Sequence, residues 1–305
     1  MMRIRAAWAA GLLIGGCVQA QPLFASGTLP GLSSDTVVPV LWREALAPPL
    51  RYRVIVLPGS GCAGMAPVAE RYFAGLLHGQ VLVLHKPGVD LNAGPAPGIC
   101  PDGFVQRDNL SRWQEQARAA LRADAQAHQN GPPLPQLLVG ISEGAELLPE
   151  LAAEVPQLAG LVLLSGSGLD PLEAGGLQAQ RLNQSLAWQA LERAQSSDAP
   201  DSTVQEGRSL RYWRDLWRWR VARPLVESPW PILQAWGDAD DLVPAEAYQR
   251  FAERAKGRAA PFCSLRLPGA DHGLQQGSVD GVQRVWAWVE NWGRAPSLGL
   301  CGAGG

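Results

Sequence analysis

The sequence predicts an α/β protein: a mostly parallel central sheet, helices on both faces, and a helical insertion. Three observations carry that expectation. The apolar runs Tyr52–Leu57, Val81–Leu84, Leu137–Val139 and Leu161–Leu164 are short and do not alternate with polar residues. Strands of that kind are buried on both faces, as in a parallel sheet. Stretches of helical length separate them. Gly140-Ile141-Ser142-Glu143-Gly144 joins one such run to the helix-like Ala145–Leu148, which reads as strand, sharp turn, helix.

In chain order, Arg3 and Arg5 precede an apolar segment from Ala6 to Gly16, too short to span a bilayer comfortably. A basic start, a short apolar stretch and small residues beyond it make an export signal. Two processing sites compete. Val18-Gln19-Ala20 suits ordinary cleavage, giving a signal over 1–20. Ile14-Gly15-Gly16-Cys17 resembles a bacterial lipoprotein box, giving a signal over 1–16 and a lipidated, membrane-anchored Cys17.

Thr36–Trp42 is an early strand candidate and Tyr52–Leu57 a clearer one, ending in the loop Pro58–Gly64. A helix is expected from Pro67 to Leu77, the strand Val81–Leu84 next, then a Pro/Gly-rich loop and a polar helix from about Asn109 to Gln129. The helix after Ser142 should end before Pro156, and Leu161–Leu164 leads into Ser165–Gly168. From about 171 to 224 the rhythm changes to polar, aromatic-bearing helices without a strand, so core segments 21–170 and 225–305 flank an insertion at 171–224. Ile232–Trp236, a helix near Ala245–Lys256 and Phe262–Leu267 restore the strand pattern. A final helix carries Val285, Trp286, Val289 and Trp292 at core-facing spacing.

The 305 residues are 47% hydrophobic and 18% charged, enough for one sizeable core. A net charge of −2 offers no footprint for nucleic acid. No Walker loop, dinucleotide fingerprint or metal-binding histidine pair occurs, so no cofactor and no metal are expected. Four cysteines follow the signal, Cys62, Cys100, Cys263 and Cys301. In an oxidising compartment they allow three pairings. Cys62–Cys100, tying two loops at the ends of adjacent strands, and Cys263–Cys301, pinning the Gly-rich tail, are favoured.

Ser142 is a candidate nucleophile, which needs a base and a carboxylate to orient that base. Both occur after later strands. Gly237-Asp238-Ala239-Asp240-Asp241-Leu242-Val243-Pro244 follows one, and Asp271-His272-Gly273 follows the last. His78, His85 and His128 read as structural or surface residues.

With these motifs the chain resembles the α/β-hydrolase superfamily over most of its mature length, and the 171–224 insertion is similar to the cap such enzymes carry. The resemblance implies Ser142 as nucleophile, Asp240 as orienting acid and His272 as general base, with no cofactor. Asp238 and Asp241 compete with Asp240, which has the family spacing to Val243-Pro244. The resemblance also implies backbone oxyanion donors at Glu143 and Ser60, with Gly61 as the alternative to Ser60, since Pro-Gly stands here where the family often has His-Gly. The Glu143 side chain either meets substrate or pairs with an arginine. The insertion's Arg208, Arg211, Tyr212, Trp213, Arg214, Trp217, Arg218, Trp219, Arg220 and Arg223 fit an amphipathic cap with aromatics on the sheet and arginines in water. The implied activity is serine hydrolysis of a small-molecule carboxylic ester. A small amide or peptide, acyl transfer, and a non-catalytic binding module are the alternatives.

Overall fold

The computed structural model describes residues 23–94 and 99–303. The export signal and Cys17 lie outside the described residues.

Eight strands form one sheet. In chain order they are β1 (Ala25–Pro30), β2 (Val37–Arg43), β3 (Tyr52–Leu57), β4 (Gly79–Leu84), β5 (Gln136–Ile141) and β6 (Leu158–Leu164). After a short hairpin of β7 (Val204–Gln205) and β8 (Arg208–Ser209) come β9 (Ile232–Gly237) and β10 (Phe262–Leu267). The spatial order is β1-β2-β4-β3-β5-β6-β9-β10. The pairs β1–β2 and β2–β4 are antiparallel and the remaining neighbours are parallel. The mostly parallel sheet expected from the sequence is therefore present, with β1 as an added edge strand. Its Gly, Thr and Pro content and largely exposed faces kept it below any apolar-run criterion.

The central strands feed two cores. In β3, Ile55 and Leu57 pack on one face and Tyr52, Val54 and Val56 on the other. The helix Leu110–His128 covers the first face. It starts where Asn109 accepts a hydrogen bond from Arg112 N–H at 2.9 Å, satisfying one orphan donor of the first turn. The last long helix, Val282–Arg294, covers the second face with Val282, Val285, Trp286, Val289 and Trp292. Full burial of such an aliphatic side chain is worth about 1.5–3 kcal/mol.

Three expectations are corrected. The helix expected from Pro67 to Leu77 spans only Ala66–Tyr72. The buried guanidinium of Arg43 takes the carbonyls of Phe73 and Leu76 at 2.9 and 2.7 Å and turns the chain out of the helix. After Ser142 the chain forms a 3₁₀ turn, Ser142–Leu147, and then a single turn, Leu148–Leu151. Pro149 has no N–H to continue a helical ladder, so one continuous helix is unfavourable. Finally, the segment between β6 and β9 is not purely helical. Helices Pro171–Arg181, Ser185–Gln195, Leu210–Leu216 and Ala222–Glu227 are interrupted by the β7–β8 hairpin. Its turn is Glu206-Gly207, both at positive φ (48° and 70°), which matches the right-handed strand twist. Two residues per strand is too short for a periodic signal.

The disulfides are Cys62–Cys100 and Cys263–Cys301. The first joins the loops after β3 and β4. The second ties the start of β10 to the tail. No helix among the described residues is long and apolar enough to cross a membrane.

Candidate functional site

β5 delivers Ser142 at the carboxyl edge of the sheet, where ligands of parallel sheets gather. Its φ is 51°, a left-handed conformation that costs a non-glycine residue about 1–3 kcal/mol. Close packing on either side holds it there. A Cβ on Gly144 would sit 2.1 Å from the Leu57 carbonyl oxygen, and one on Gly140 would sit 2.3 Å from Ala145 Cα. Only glycine lets the turn approach β3 and fold back on β5 this closely.

The partners arrive from the two outer strands. Asp240 lies just past β9 and His272 just past β10. The two loops are in close contact, since a Cβ on Gly237 would fall 2.1 Å from the Ala270 carbonyl oxygen. His272 Nδ1 lies 2.9 Å from Asp240 Oδ2, and its Nε2 lies 3.0 Å from Ser142 Oγ. The structure thus brings together the three side chains singled out in the sequence, although 130 residues separate Ser142 from His272. Asp240 Oδ1 accepts the N–H groups of Leu242 and Val243 at 2.8 and 2.9 Å, and Oδ2 also accepts from Tyr248 Oη at 2.8 Å. Burial works to raise the Asp240 carboxyl pKa. The hydrogen bond and charge of His272, with the Val243 and Tyr248 donors, outweigh it and hold the pKa below the ordinary value.

The competing aspartates are occupied elsewhere. Asp238 pairs with Arg266 at 2.6 Å, and Asp241 is exposed, with its backbone carbonyl taken by Gln178 and Arg181. His78 pairs with Glu290 at 2.7 Å, His128 lies 2.8 Å from the Asp124 carbonyl oxygen, and buried His85 accepts the Met65 N–H at 3.2 Å.

The loop Pro58–Gly61 lies over the serine. A Cβ on Gly59 would stand 3.3 Å from Ser142 Cβ. Ser60 is exposed and Gly61 has φ 88°. Among the described residues, no backbone carbonyl outside the regular helices and strands takes the Ser60 or the Glu143 N–H.

Sequence reasoning gave no role at this site to four side chains that the structure places around it. Tyr248 supports Asp240. Ser165, past β6 and also at positive φ (52°), donates its hydroxyl to the His272 carbonyl at 2.6 Å and fixes the histidine loop. Lys86 and Tyr212 hold Glu143, whose carboxylate takes Lys86 Nζ at 2.5 Å and Tyr212 Oη at 2.6 Å. The arginine pairing considered for Glu143 is thereby corrected: Arg208 binds Asp108 instead, and Asp108 binds Lys86 at 2.6 Å. The division of the insertion into inward aromatics and outward arginines holds for Tyr212 and for exposed Arg211, Arg218, Arg220 and Arg223. It fails for Arg208, which stacks over the Tyr212 ring at 4.6 Å. Burial alone would raise the Glu143 carboxyl pKa. The Lys86 and Arg208 charges and the two hydrogen bonds reverse that and keep it ionised. No sequence pattern marks these contacts, because their partners lie on separate loops.

Solved structures supply the comparison. An esterase domain from Rhodothermus marinus superposes with a TM-score of 0.57 at 18% identity, covering 89% of this chain and 98% of that one. The chain has the α/β-hydrolase fold. Mouse alpha/beta hydrolase domain-containing protein 10 matches with a TM-score of 0.54 at 16% identity, covering 87% of this chain and 97% of that one. A puromycin-hydrolyzing peptidase from Mycobacterium tuberculosis matches with a TM-score of 0.58 at 16% identity over 92% of this chain. This chain spans only 40% of that peptidase's length. No family model matches the chain, and no curated protein matches it in sequence.

Proposed function

We propose that this chain is a serine hydrolase that cleaves a carboxylic ester. The observation that carries the reading is the continuous hydrogen-bonded line from Ser142 Oγ through His272 to buried Asp240, with separations of 3.0 and 2.9 Å. A serine hydroxyl is a weak nucleophile until a base takes its proton. His272 Nε2 accepts that proton as Ser142 Oγ attacks the carbonyl carbon. Asp240 stabilises the imidazolium, and the Glu143 and Ser60 N–H groups receive the oxyanion. His272 then protonates the leaving alcohol, and the acyl group remains on Ser142. A water deprotonated by His272 releases the acid and restores the serine.

Esterases among the structural neighbours agree with an ester substrate. The peptidases among them favour a small amide or peptide as the second reading. Two disulfides suit an oxidising compartment and support export, either as a cleaved protein or anchored through Cys17.

A fluorophosphonate probe should label the wild-type protein and leave Ser142→Ala untouched. Absence of labelling in folded wild type would instead favour a binding module. A panel of short- and long-chain esters beside aminoacyl amides then separates the two hydrolytic readings.

A further inference from the structure

One residue past Ser142 lies a second polar cluster, drawn from four segments of the chain. Lys86 follows β4, Asp108 precedes the helix Leu110–His128, Glu143 follows the serine, and Arg208 and Tyr212 belong to the segment between β6 and β9. Lys86, Asp108 and Glu143 are all at most 6% exposed. Lys86 and Arg208 face Asp108 and Glu143, and every carboxylate oxygen of Asp108 and Glu143 has a donor, while burial beside Glu143 pushes the nearby Glu146 carboxyl pKa well up. Such a cluster does little for stability, because removing its charges from water offsets most of their attraction. Its location calls for another explanation.

Resting on the serine-hydrolase reading, we propose that Lys86 and Tyr212 are positioning residues that aim the Glu143 N–H at the oxyanion. The direction of that N–H depends on ψ of Ser142 and φ of Glu143. The left-handed Ser142 and the tightly packed Gly144 restrain the backbone on both sides. The Glu143 side chain is the remaining handle, and it is gripped at both oxygens: Oε1 by Lys86 at 2.5 Å and Oε2 by Tyr212 at 2.6 Å. Asp108 holds Lys86 in turn and is itself held by Arg208, so the Glu143 carboxylate cannot swing without breaking several charge-assisted bonds. Because Tyr212 and Arg208 lie in the segment between β6 and β9, the placement of that segment is tied directly to the oxyanion donor.

Two variants test this. Tyr212→Phe removes one grip and keeps the ring. Lys86→Met combined with Glu143→Gln removes the other without leaving an unpaired buried charge. Steady-state hydrolysis of a p-nitrophenyl ester, the rate of fluorophosphonate labelling and inhibition by a trifluoromethyl ketone are measured on each, beside the thermal unfolding midpoint. A lost oxyanion donor costs about 10²–10³-fold in kcat, and a misaimed one less. We expect kcat to fall about tenfold in Tyr212→Phe and about 10²-fold in the double variant, on the same scale. KM should stay within about twofold, and inhibition by the ketone should weaken in parallel with kcat. Unchanged kcat in Tyr212→Phe, or a loss confined to KM, would overturn the proposal, and this decides the matter even if the double variant fails to fold. A wild-type protein that neither turns over ester nor takes the label would overturn the hydrolase reading itself.

Discussion

Replacing Asp240 by Asn tests the proposed triad through the tautomer of a single imidazole. Asp240 Oδ1 accepts two backbone N–H groups, from Leu242 and Val243, at 2.8 and 2.9 Å. An asparagine must keep its carbonyl oxygen there, because turning the amide would set its NH₂ against two other donors. The NH₂ then takes the place of Oδ2 and donates toward His272 Nδ1. The histidine carries its proton on Nε2 in response, facing Ser142 Oγ with a donor where an acceptor is required. Substitution of this kind in a serine triad lowers kcat about 10⁴-fold, which is about 5 kcal/mol of transition-state stabilisation. The expected result for Asp240→Asn is therefore a fall of about that size in kcat for p-nitrophenyl ester hydrolysis, with KM little changed. Circular dichroism should match wild type, since size and most hydrogen bonds persist. Activity within tenfold of wild type, in a variant shown to fold, would refute the assignment of Asp240.

Two further outcomes follow from groups away from the serine. Burial depresses the pKa of His85 from 6.5 to about 4, so below pH 6.5 the unfolded chain binds a proton that the folded chain refuses. That contribution to stability is complete above pH 6.5 and should shrink by about 3 kcal/mol as pH falls to 4. Denaturant titrations should show this loss in wild type and not in His85→Gln, whose amide can still accept the Met65 N–H; equal slopes would refute it. For the tail, Cys263 and Cys301 close a loop across 38 positions, and opening it costs about 4 kcal/mol on the chain-entropy account. Replacing both by Ser should lower the thermal midpoint by about 5–10 °C. Ester hydrolysis at 25 °C should persist, because the bridge sits at the start of β10 and His272 lies past its end.

The individual residues of the proposed triad could be read from the chain because each sits in a local pattern. Ser142 lies in a strand–turn–helix context, Asp240 between Gly237 and Pro244, and His272 after the last strand. The central strands announced themselves as unbroken apolar runs, since both of their faces are buried. Edge strand β1 and hairpin β7–β8 bury little and left no such trace. Contacts between loops left none either. Tyr248 beneath Asp240, Ser165 on the His272 carbonyl and Lys86 on Glu143 are pairings across 8, 107 and 57 positions. Composition and spacing act along the chain, whereas these hydrogen bonds depend on which strand ends the sheet order sets side by side. The sequence alone determined which groups could do chemistry; the parallel sheet decided which of them touch.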